Sequence, residues 1–323
     1  MLYLDAMGGD NAPHEIIKGA LLASGKISRP IALVGKPDII SSTLKSYGAE
    51  KKFEIIEADE VIEMEEEPAT AVRKKKKSSI VVGCTIIKED EESAFISAGS
   101  TGALLSAALL YTGRIKGIQR PGMGVLLPAD RPVFLIDTGA NADCKPEYLF
   151  QFARMGSEYL KAVLNVDDPK IALLNIGTEA AKGNMFYKET FEYLSKKLPG
   201  FAGNIESKDV LSGVADIVVC DGFTGNIFLK AIEGAFLFTF SAIKETMVSS
   251  FKNKIAASLL SKDFKALKNK FDPSSLGGVP FLGVKGCVIK AHGNSNDYAI
   301  MNAIKQADNF IEHEVLKKIK EIV

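Results

Sequence analysis

Short β-rich runs, each closing in a glycine-rich turn and leading into a segment of helical period, recur along most of the chain. Leu2–Leu4 runs into DAMGGDNAP and a helix opening near Pro13, where proline suits a first helical turn. Ile31–Val34 reads as the next strand. Phe95–Ser97 precedes AGSTG and the apolar segment ALLSAALLYTG, and Val133–Ile136 precedes DTGANADCKPEYLFQF. Ile171–Asn175, Ile217–Cys220 and Val288–Lys290 then lead into IGTEAAKGN, DGFTGN and AHGNSND. Strands alternating with helices in this way predict an α/β fold.

Two segments depart from the alternation. From Asp221 to Phe271 a long apolar helical stretch is followed by KNKIAASLLSKDFKALKNKF, which predicts a helical hairpin projecting from the core. From Tyr298, the spacing of Ile300, Ile304, Ala307 and Ile311 predicts an amphipathic closing helix. No linker or repeat divides the chain. Residues 1–323 therefore read as one domain, possible as two lobes around a cleft, with 225–271 as the hairpin within it.

Composition sharpens this picture by exclusion. At 323 residues with 46% hydrophobic positions, the chain is long enough for a sizeable packed core. Lys plus Arg and Asp plus Glu both number 40, so no global field recruits nucleic acid. The four cysteines, at 84, 144, 220 and 287, form no CxxC or zinc-type cluster and read as reduced cytosolic thiols. The opening MLYLDAMGGD carries Asp5 and no basic leader before an apolar run, so no secretory signal is expected. The richest apolar stretch, Ala231–Ile243, is interrupted by Glu233 and reads as too short to span a bilayer.

The strand-to-helix loops are the candidate site, because ligands of open α/β sheets bind beyond the carboxyl ends of strands. Helix N-termini there present unpaired N–H groups that favour phosphate. Glycine lies beside polar residues in several of these loops: Ser100 and Thr101, Thr138 and Asn141, Thr178 and Asn184, Thr224 and Asn226, Ser295 and Asn296. Any one of these is explained by a helix cap. A set gathered on one face of the sheet would build an anion site.

Nucleotide and covalent chemistry find little support. There is no GxGxxG after a strand, GTEAAKGN lacks the Gly-Lys-Ser/Thr ending of a P-loop, and no GxSxG elbow occurs. A polar cradle with few general bases suits inorganic phosphate, whose dianion is already a nucleophile near neutrality and needs holding more than deprotonating. Lys182 offers a positive charge and Asn226 an amide donor to phosphate or to a developing oxyanion; equally, they read as a solvated loop lysine and a helix cap. His292 is either a donor to an anion or a structural histidine. Asp5 and Asp10, flanking Gly8 and Gly9, suit turn geometry better than a metal. In VIEMEEEPATAVRKKKKSSIVVG an acidic run meets a basic one; this is a solvated surface, or Arg73–Lys77 dock an acidic protein.

Taken together and in order, these loops resemble the PlsX family of phosphate acyltransferases. LDAMGGDNAP, EEEPATAVRKKKKSSIVVG, SAGSTGALL, LIDTGANADCKPEYLFQFARMGSEY, LLNIGTEAAKGN, ADIVVCDGFTGNIFLKAIEG and VIKAHGNSN carry the resemblance over essentially the whole chain. It implies a three-layer α/β sandwich with a mixed, largely parallel sheet, similar to phosphotransacetylases and isopropylmalate dehydrogenases. It implies transfer of a fatty acyl group from acyl carrier protein to inorganic phosphate for phospholipid synthesis, with no cofactor and no metal. Lys182 and Asn226 become the implied catalytic residues, and Gly8, Gly9, Asp10, Ser100, Thr101, Thr178, Thr224 and His292 the implied substrate or phosphate ligands. The family pattern further implies a homodimer in the cytoplasm, working peripherally at the membrane beside a glycerol-phosphate acyltransferase. In the hairpin, Ile255, Leu259, Leu260 and Phe264 alternate with Lys252, Lys254, Lys262, Lys265, Lys268 and Lys270, a pattern suited either to an anionic membrane surface or to dimer packing. Rival expectations are an acetyl- or butyryltransferase using coenzyme A thioesters, a dehydrogenase on the related fold, and a non-catalytic carrier-binding scaffold.

Overall fold

The structure, a computed structural model, describes residues 1–129, 131–271 and 277–323. The side chains of Lys268 and Lys270 lie outside the described residues. The strands are β1 (Leu2–Asp5), β2 (Ile31–Gly35), β3 (Glu54–Glu57), β4 (Ala94–Ser97), β5 (Gly122–Leu127) and β6 (Val133–Ile136). They continue as β7 (Ile171–Asn175), β8 (Phe201–Glu206), β9 (Ile217–Val219), β10 (Val279–Leu282) and β11 (Cys287–Lys290). The helices are α1 (His14–Ser24), α2 (Pro37–Ser46), α3 (Pro68–Lys74), α4 (Ser79–Ile86), α5 (Thr101–Ala107) and α6 (Pro146–Leu164). Next come α7 (Met185–Lys197), α8 (Gly222–Val248), α9 (Phe251–Leu259), α10 (Ser261–Phe271), α11 (Asp297–Glu312) and α12 (Val315–Glu321).

All described strands join in one sheet ordered β3-β2-β1-β4-β11-β10-β5-β6-β9-β7-β8. β3, β2, β1, β4 and β11 are mutually parallel, as are β6, β9, β7 and β8. Three antiparallel pairings, β11 with β10, β10 with β5 and β5 with β6, join these halves. Three reversals leave the second parallel half pointing opposite to the first. The loops that sequence reasoning gathers at one place are thereby sorted onto two sheet edges.

Side chains alternate across the strands, so each strand feeds both layers. On one face a continuous core takes Leu4, Ile96, Ile289, Phe134 and Ile217 together with α1, α6 and α11 residues such as Phe152 and Ile300. On the other face the core is split. Val34, Phe95, Leu104 and Phe281 form one cluster, and Leu135, Leu174, Val218 and Cys220 form another against which Phe228 and Leu229 of α8 pack. Helices on both faces make the three-layer α/β sandwich. Local chemistry fixes the helix ends: α6 opens on Pro146 and closes on Asn165 with φ 55°, a left-handed cap that asparagine tolerates. In α11 the positions expected from its spacing, Ile300, Ile304, Ala307 and Ile311, are all buried.

The region after β9 is longer and more broken than the sequence suggests. α8 extends over 27 residues and is, among the described residues, long and apolar enough to cross a membrane by length and composition, which corrects the shorter stretch read above. A second break at Leu260 divides the following segment into α9 and α10, and Phe271 packs back on Phe236 at 4.7 Å between ring centroids.

Phe134 is fully buried and stacks on Tyr159 at 4.8 Å between centroids. Phe134→Ala is expected to lower stability by about 3–5 kcal/mol in urea unfolding. A loss under about 1 kcal/mol would contradict its place at the centre of the core.

Candidate active site

The first cluster lies at the carboxyl edge of β1, β4 and β11. Gly9 adopts φ +99°, and a Cβ there would stand 2.9 Å from the Gly293 carbonyl oxygen, so glycine is required on both backbone and steric grounds. Asp10 N–H donates to Gly293 O at 2.9 Å, and Asn11 Nδ2 donates to Asn294 Oδ1 at 3.1 Å, joining the first loop to AHGNSN. Asp5 is buried and accepts from Ser97 Oγ at 2.6 Å and from Met7 N–H at 3.1 Å; burial pushes its carboxyl above the usual range. Ser100 caps α5 through a long 3.5 Å contact from Ala103 N–H, and Thr101 is the first residue of that helix. His292 is exposed, and its Nδ1 accepts from Asn294 N–H at 3.2 Å. This bond leaves Nε2 as the protonated nitrogen of a neutral imidazole, free to donate.

Lys290, which sequence reasoning passes over, sits at the base of this cluster. Its ammonium is buried and donates to Ala98 O at 3.3 Å and to Ala291 O. The only signal available in the sequence is a lysine closing an otherwise apolar strand, a position at which a buried charge looks the same as an exposed one.

The second cluster lies at the opposite edge, beyond β6, β9 and β7. Buried Asp137 accepts from the N–H groups of Met123 at 3.1 Å, Gly139 at 3.2 Å and Ala140 at 3.0 Å, and from Asn141 N–H and Asn141 Nδ2 at 2.8 Å each. Burial raises this carboxyl above the usual range while the donors oppose that. α8 rests directly on this loop: a Cβ at Gly225 would fall 1.9 Å from Asp137 O, and Gly222 N–H donates to Asn141 O at 2.7 Å. Asp221 caps α8 by accepting from Thr224 N–H at 2.8 Å, and its other oxygen takes Tyr187 O–H at 2.5 Å and Thr224 O–H at 2.8 Å. Thr224 is thus fully engaged in the cap. Asn226 is half-buried on the next turn, its amide nitrogen 3.7 Å from where a Cβ on Gly139 would stand.

Lys182 occupies the loop after β7, the neighbour of β9 in the sheet, and is about half exposed at 49% with Glu179 3.9 Å away. Thr178, in the same loop, is exposed. Tyr187, reaching from α7 to Asp221, ties this loop's helix to the start of α8. The structure therefore places Lys182, Thr178, Thr224 and Asn226 on one edge and Gly8, Gly9, Asp10, Ser100, Thr101 and His292 on the other. α8 spans between them. Glu233 stands two turns beyond Asn226 on the same face, and burial raises its carboxyl, an effect that a protonated His292 would oppose.

The thiols offer no nucleophile here. Burial raises the Cys144 thiol to about 12 and pushes Cys84, Cys220 and Cys287 up as well. Lys290 shifts the other way: burial pulls its pKa from 10.5 to about 8, although Asp5 and Asp10 oppose the change. A depressed folded-state pKa contributes stability that is complete above the unfolded value and is lost as pH falls through the folded one. Lys290→Met is therefore expected to flatten the rise in stability between pH 8 and 10.5, a difference of about 3 kcal/mol over the window, in urea midpoints. Parallel curves for the two proteins would refute a buried charge.

The chain is similar to known proteins over nearly its whole length. Residues 1–318 match the family model described as a fatty acid synthesis protein. The chain is 48% identical over 324 aligned residues to a phosphate acyltransferase of Dictyoglomus thermophilum, covering 99% of this chain and 96% of that protein. It is 45% identical to a phosphate acyltransferase of Bacillus cereus, covering 100% and 98%. Its fold is similar to that of a phosphotransacetylase from Streptococcus pyogenes, with a TM-score of 0.64 at 17% identity over 97% of this chain and 94% of that one. With near-complete coverage and identity this high, the chain belongs to the phosphate acyltransferase family.

Proposed function

We propose that this chain transfers a fatty acyl group from acyl carrier protein to inorganic phosphate, giving acyl phosphate directly, and that Lys182 and Asn226 carry the step. One observation supports the pairing above others. β7 and β9 are adjacent and parallel, so the loop bearing Lys182 and the helix bearing Asn226 leave the same sheet edge side by side, tied by Tyr187 and Asp221 at 2.5 Å. A phosphate oxygen held by Lys182 attacks the thioester carbonyl carbon. The carbonyl electrons move onto oxygen, where Asn226 Nδ2 donates to the tetrahedral oxyanion. Collapse breaks the C–S bond and releases the carrier thiolate. The contact between Lys182 and Glu179, at 3.9 Å and half exposed, is weak enough for phosphate to displace. Thr178 borders the phosphate on the same edge and Thr224 acts through the α8 cap, while Gly8, Gly9, Asp10, Ser100, Thr101 and His292, on the opposite edge, line the far end of the polar surface that α8 runs along.

The acyl chain needs apolar cover, since each methylene left in water costs about 0.8 kcal/mol. Phe223, Ile227, Leu237 and Phe238 are exposed along α8 at 63%, 54%, 71% and 76%, an open apolar surface starting beside Asn226. Beyond it Ile255, Leu259 and Leu260 are exposed at 51%, 80% and 48% and Phe264 is half-buried, while no α9 residue is buried. We infer that this tip rests on an anionic bilayer from the cytoplasmic side, in a homodimer, with the helix lying on the surface. The first turns of α8 are seated on the core through Gly222, Gly225, Phe228 and Leu229, which leaves too short an apolar run before Lys244 to span.

Phosphate-dependent thiol release from long-chain acyl carrier protein, with acyl phosphate trapped as its hydroxamate, tests the reaction. Lys182→Ala and Asn226→Ala are each expected to lower kcat by about 100-fold, the usual scale for a lost oxyanion donor. Wild-type turnover in both would end the assignment, and faster turnover with acyl-coenzyme A would favour the rival donor. For the membrane contact, replacing Leu259 and Leu260 by Asp is expected to abolish co-sedimentation with phosphatidylglycerol vesicles while leaving turnover in detergent intact. Unchanged sedimentation would remove the membrane role.

A further inference from the structure

The reaction proposed above needs an acidic carrier protein to dock, and charge pairing tells against the basic run that the sequence offers. Lys75 donates to Glu66 at 2.5 Å and to Val61 O at 2.7 Å, and Lys77 lies 3.6 Å from Asp59. Two of the five residues of that run are thus paired with carboxylates upstream of it.

A different set of cations has no carboxylate partner among the described residues, although Arg114 donates to Gln119 O. In the segment between α5 and β5, Arg114, Lys116 and Arg120 are exposed while Ile115 and Ile118, at 5% and 6%, anchor the backbone. Ile115 N–H donates to Gly283 O at 3.0 Å, Lys285 N–H to Gly113 O at 2.9 Å, and Gln151 Nε2 to Gly117 O at 2.9 Å. The cations are thus presented on a fixed frame rather than a loose loop. Lys285 joins them across a hollow of about 760 Å³ that also holds Lys88 and Lys320. The carboxylates of that hollow are already engaged, Glu89 with Lys88 at 3.6 Å and Glu91 with Lys320. Among the described residues Arg114, Lys116, Arg120 and Lys285 have no carboxylate ion pair. Arg120 and Arg114 also line the adjoining hollow with Tyr148.

The position suits delivery of a thioester to Asn226. This segment lies on the sheet edge where β6, β9 and β7 end. Pro121, next to Arg120, accepts from Asn141 Nδ2 at 2.7 Å, Asn141 O accepts from Gly222 N–H at 2.7 Å, and Asn226 follows Gly222 by one helical turn, about 6 Å.

We propose that Arg114, Lys116, Arg120 and Lys285 form the docking surface for the acidic carrier domain, a role that rests on the reading of the reaction given above. Rim charges of this kind steer encounter and set salt dependence. The probe is fluorescently labelled acyl carrier protein, whose binding by anisotropy is read independently of turnover. The triple variant Arg114→Glu, Lys116→Glu, Arg120→Glu is expected to raise Kd and the KM for acyl-carrier protein by about tenfold or more. Its kcat, and its rate with a small acyl-pantetheine donor, should stay within about twofold of wild type. The paired reversal Lys74→Glu, Lys76→Glu should leave Kd unchanged. Should the triple variant fold poorly by thermal melt, Arg120→Gln serves instead: wild-type Kd should rise with salt, and this variant should show a shallower slope.

Unchanged Kd in the triple variant, an equal effect from Lys74 and Lys76, or an unaltered salt slope in Arg120→Gln would overturn the docking surface. So would a change of oligomeric state in light scattering with Kd intact, which would assign the surface to a second copy of the chain. A wild-type protein that binds carrier without phosphate-dependent release would instead overturn the reaction and leave the surface standing.

Discussion

The second half of the site depends on the carboxylate of Asp137. It sits at the end of β6 with almost no solvent and gathers five N–H donors from Met123, Gly139, Ala140 and Asn141. A buried carboxylate without such partners would cost several kcal/mol, so the loop must wrap it or the strand end cannot be buried. Once wrapped, the loop offers its outer carbonyls, and α8 rests on them through glycines that have no side chain to hold it off. Asp221 then caps that helix and takes the Tyr187 hydroxyl, which burial and the neighbouring carboxylate keep protonated. One buried charge thus sets the position of Asn226 without touching it.

The reversal of the sheet determines how far the site extends. Two parallel halves pointing the same way would put every strand-to-helix loop together; here the three antiparallel pairings at the centre send them to opposite edges. α8 is the element that runs between those edges, since a helix following a strand returns along the sheet face. Its return passes the split between two core clusters, where Ala140 packs against one and Phe228 and Leu229 against the other. The fold therefore supplies an elongated polar surface with Asn226 near one end and His292 near the other.

Much of this was legible from pattern alone, and the failures have physical causes. Runs such as Ile31–Val34 and Val133–Ile136 are buried on both faces and apolar throughout, so they announce themselves. β5 opens on Gly122 and Gly124, β10 contains Pro280 and edge strand β3 reads EIIE, so none shows a clear strand signal. These include two of the strands that make the reversal, which is why the separation of the loops was invisible. The candidate site residues were picked out by their glycine-rich loops. Lys290 and Asp137 were not, because a buried charge differs from an exposed one only in what surrounds it. The same holds for the basic surface: RKKKK stands out as a run, but Lys75 and Lys77 are paired, whereas Arg114, Lys116 and Arg120 are spaced apart and have no carboxylate partner among the described residues.

The proposed reaction, which combines a polar step with an apolar substrate, accounts for the length of α8. An acyl chain drawn through water would cost about 0.8 kcal/mol for each methylene, which over a long chain exceeds what a single polar site returns in binding. The polar chemistry proposed at Asn226 would then need apolar cover close by. At 1.5 Å per residue a helix of 27 residues is about 40 Å long, enough to begin on the Asp137 loop and end clear of the core. Phe223, Ile227 and Phe238 recur at spacings that keep them within one stripe, so exposed apolar side chains stand beside the proposed catalytic Asn226 and again further out along the helix. A shorter helix would satisfy the cap and the core equally well, and the remaining turns are accounted for by the proposed apolar substrate together with the proposed contact of the tip.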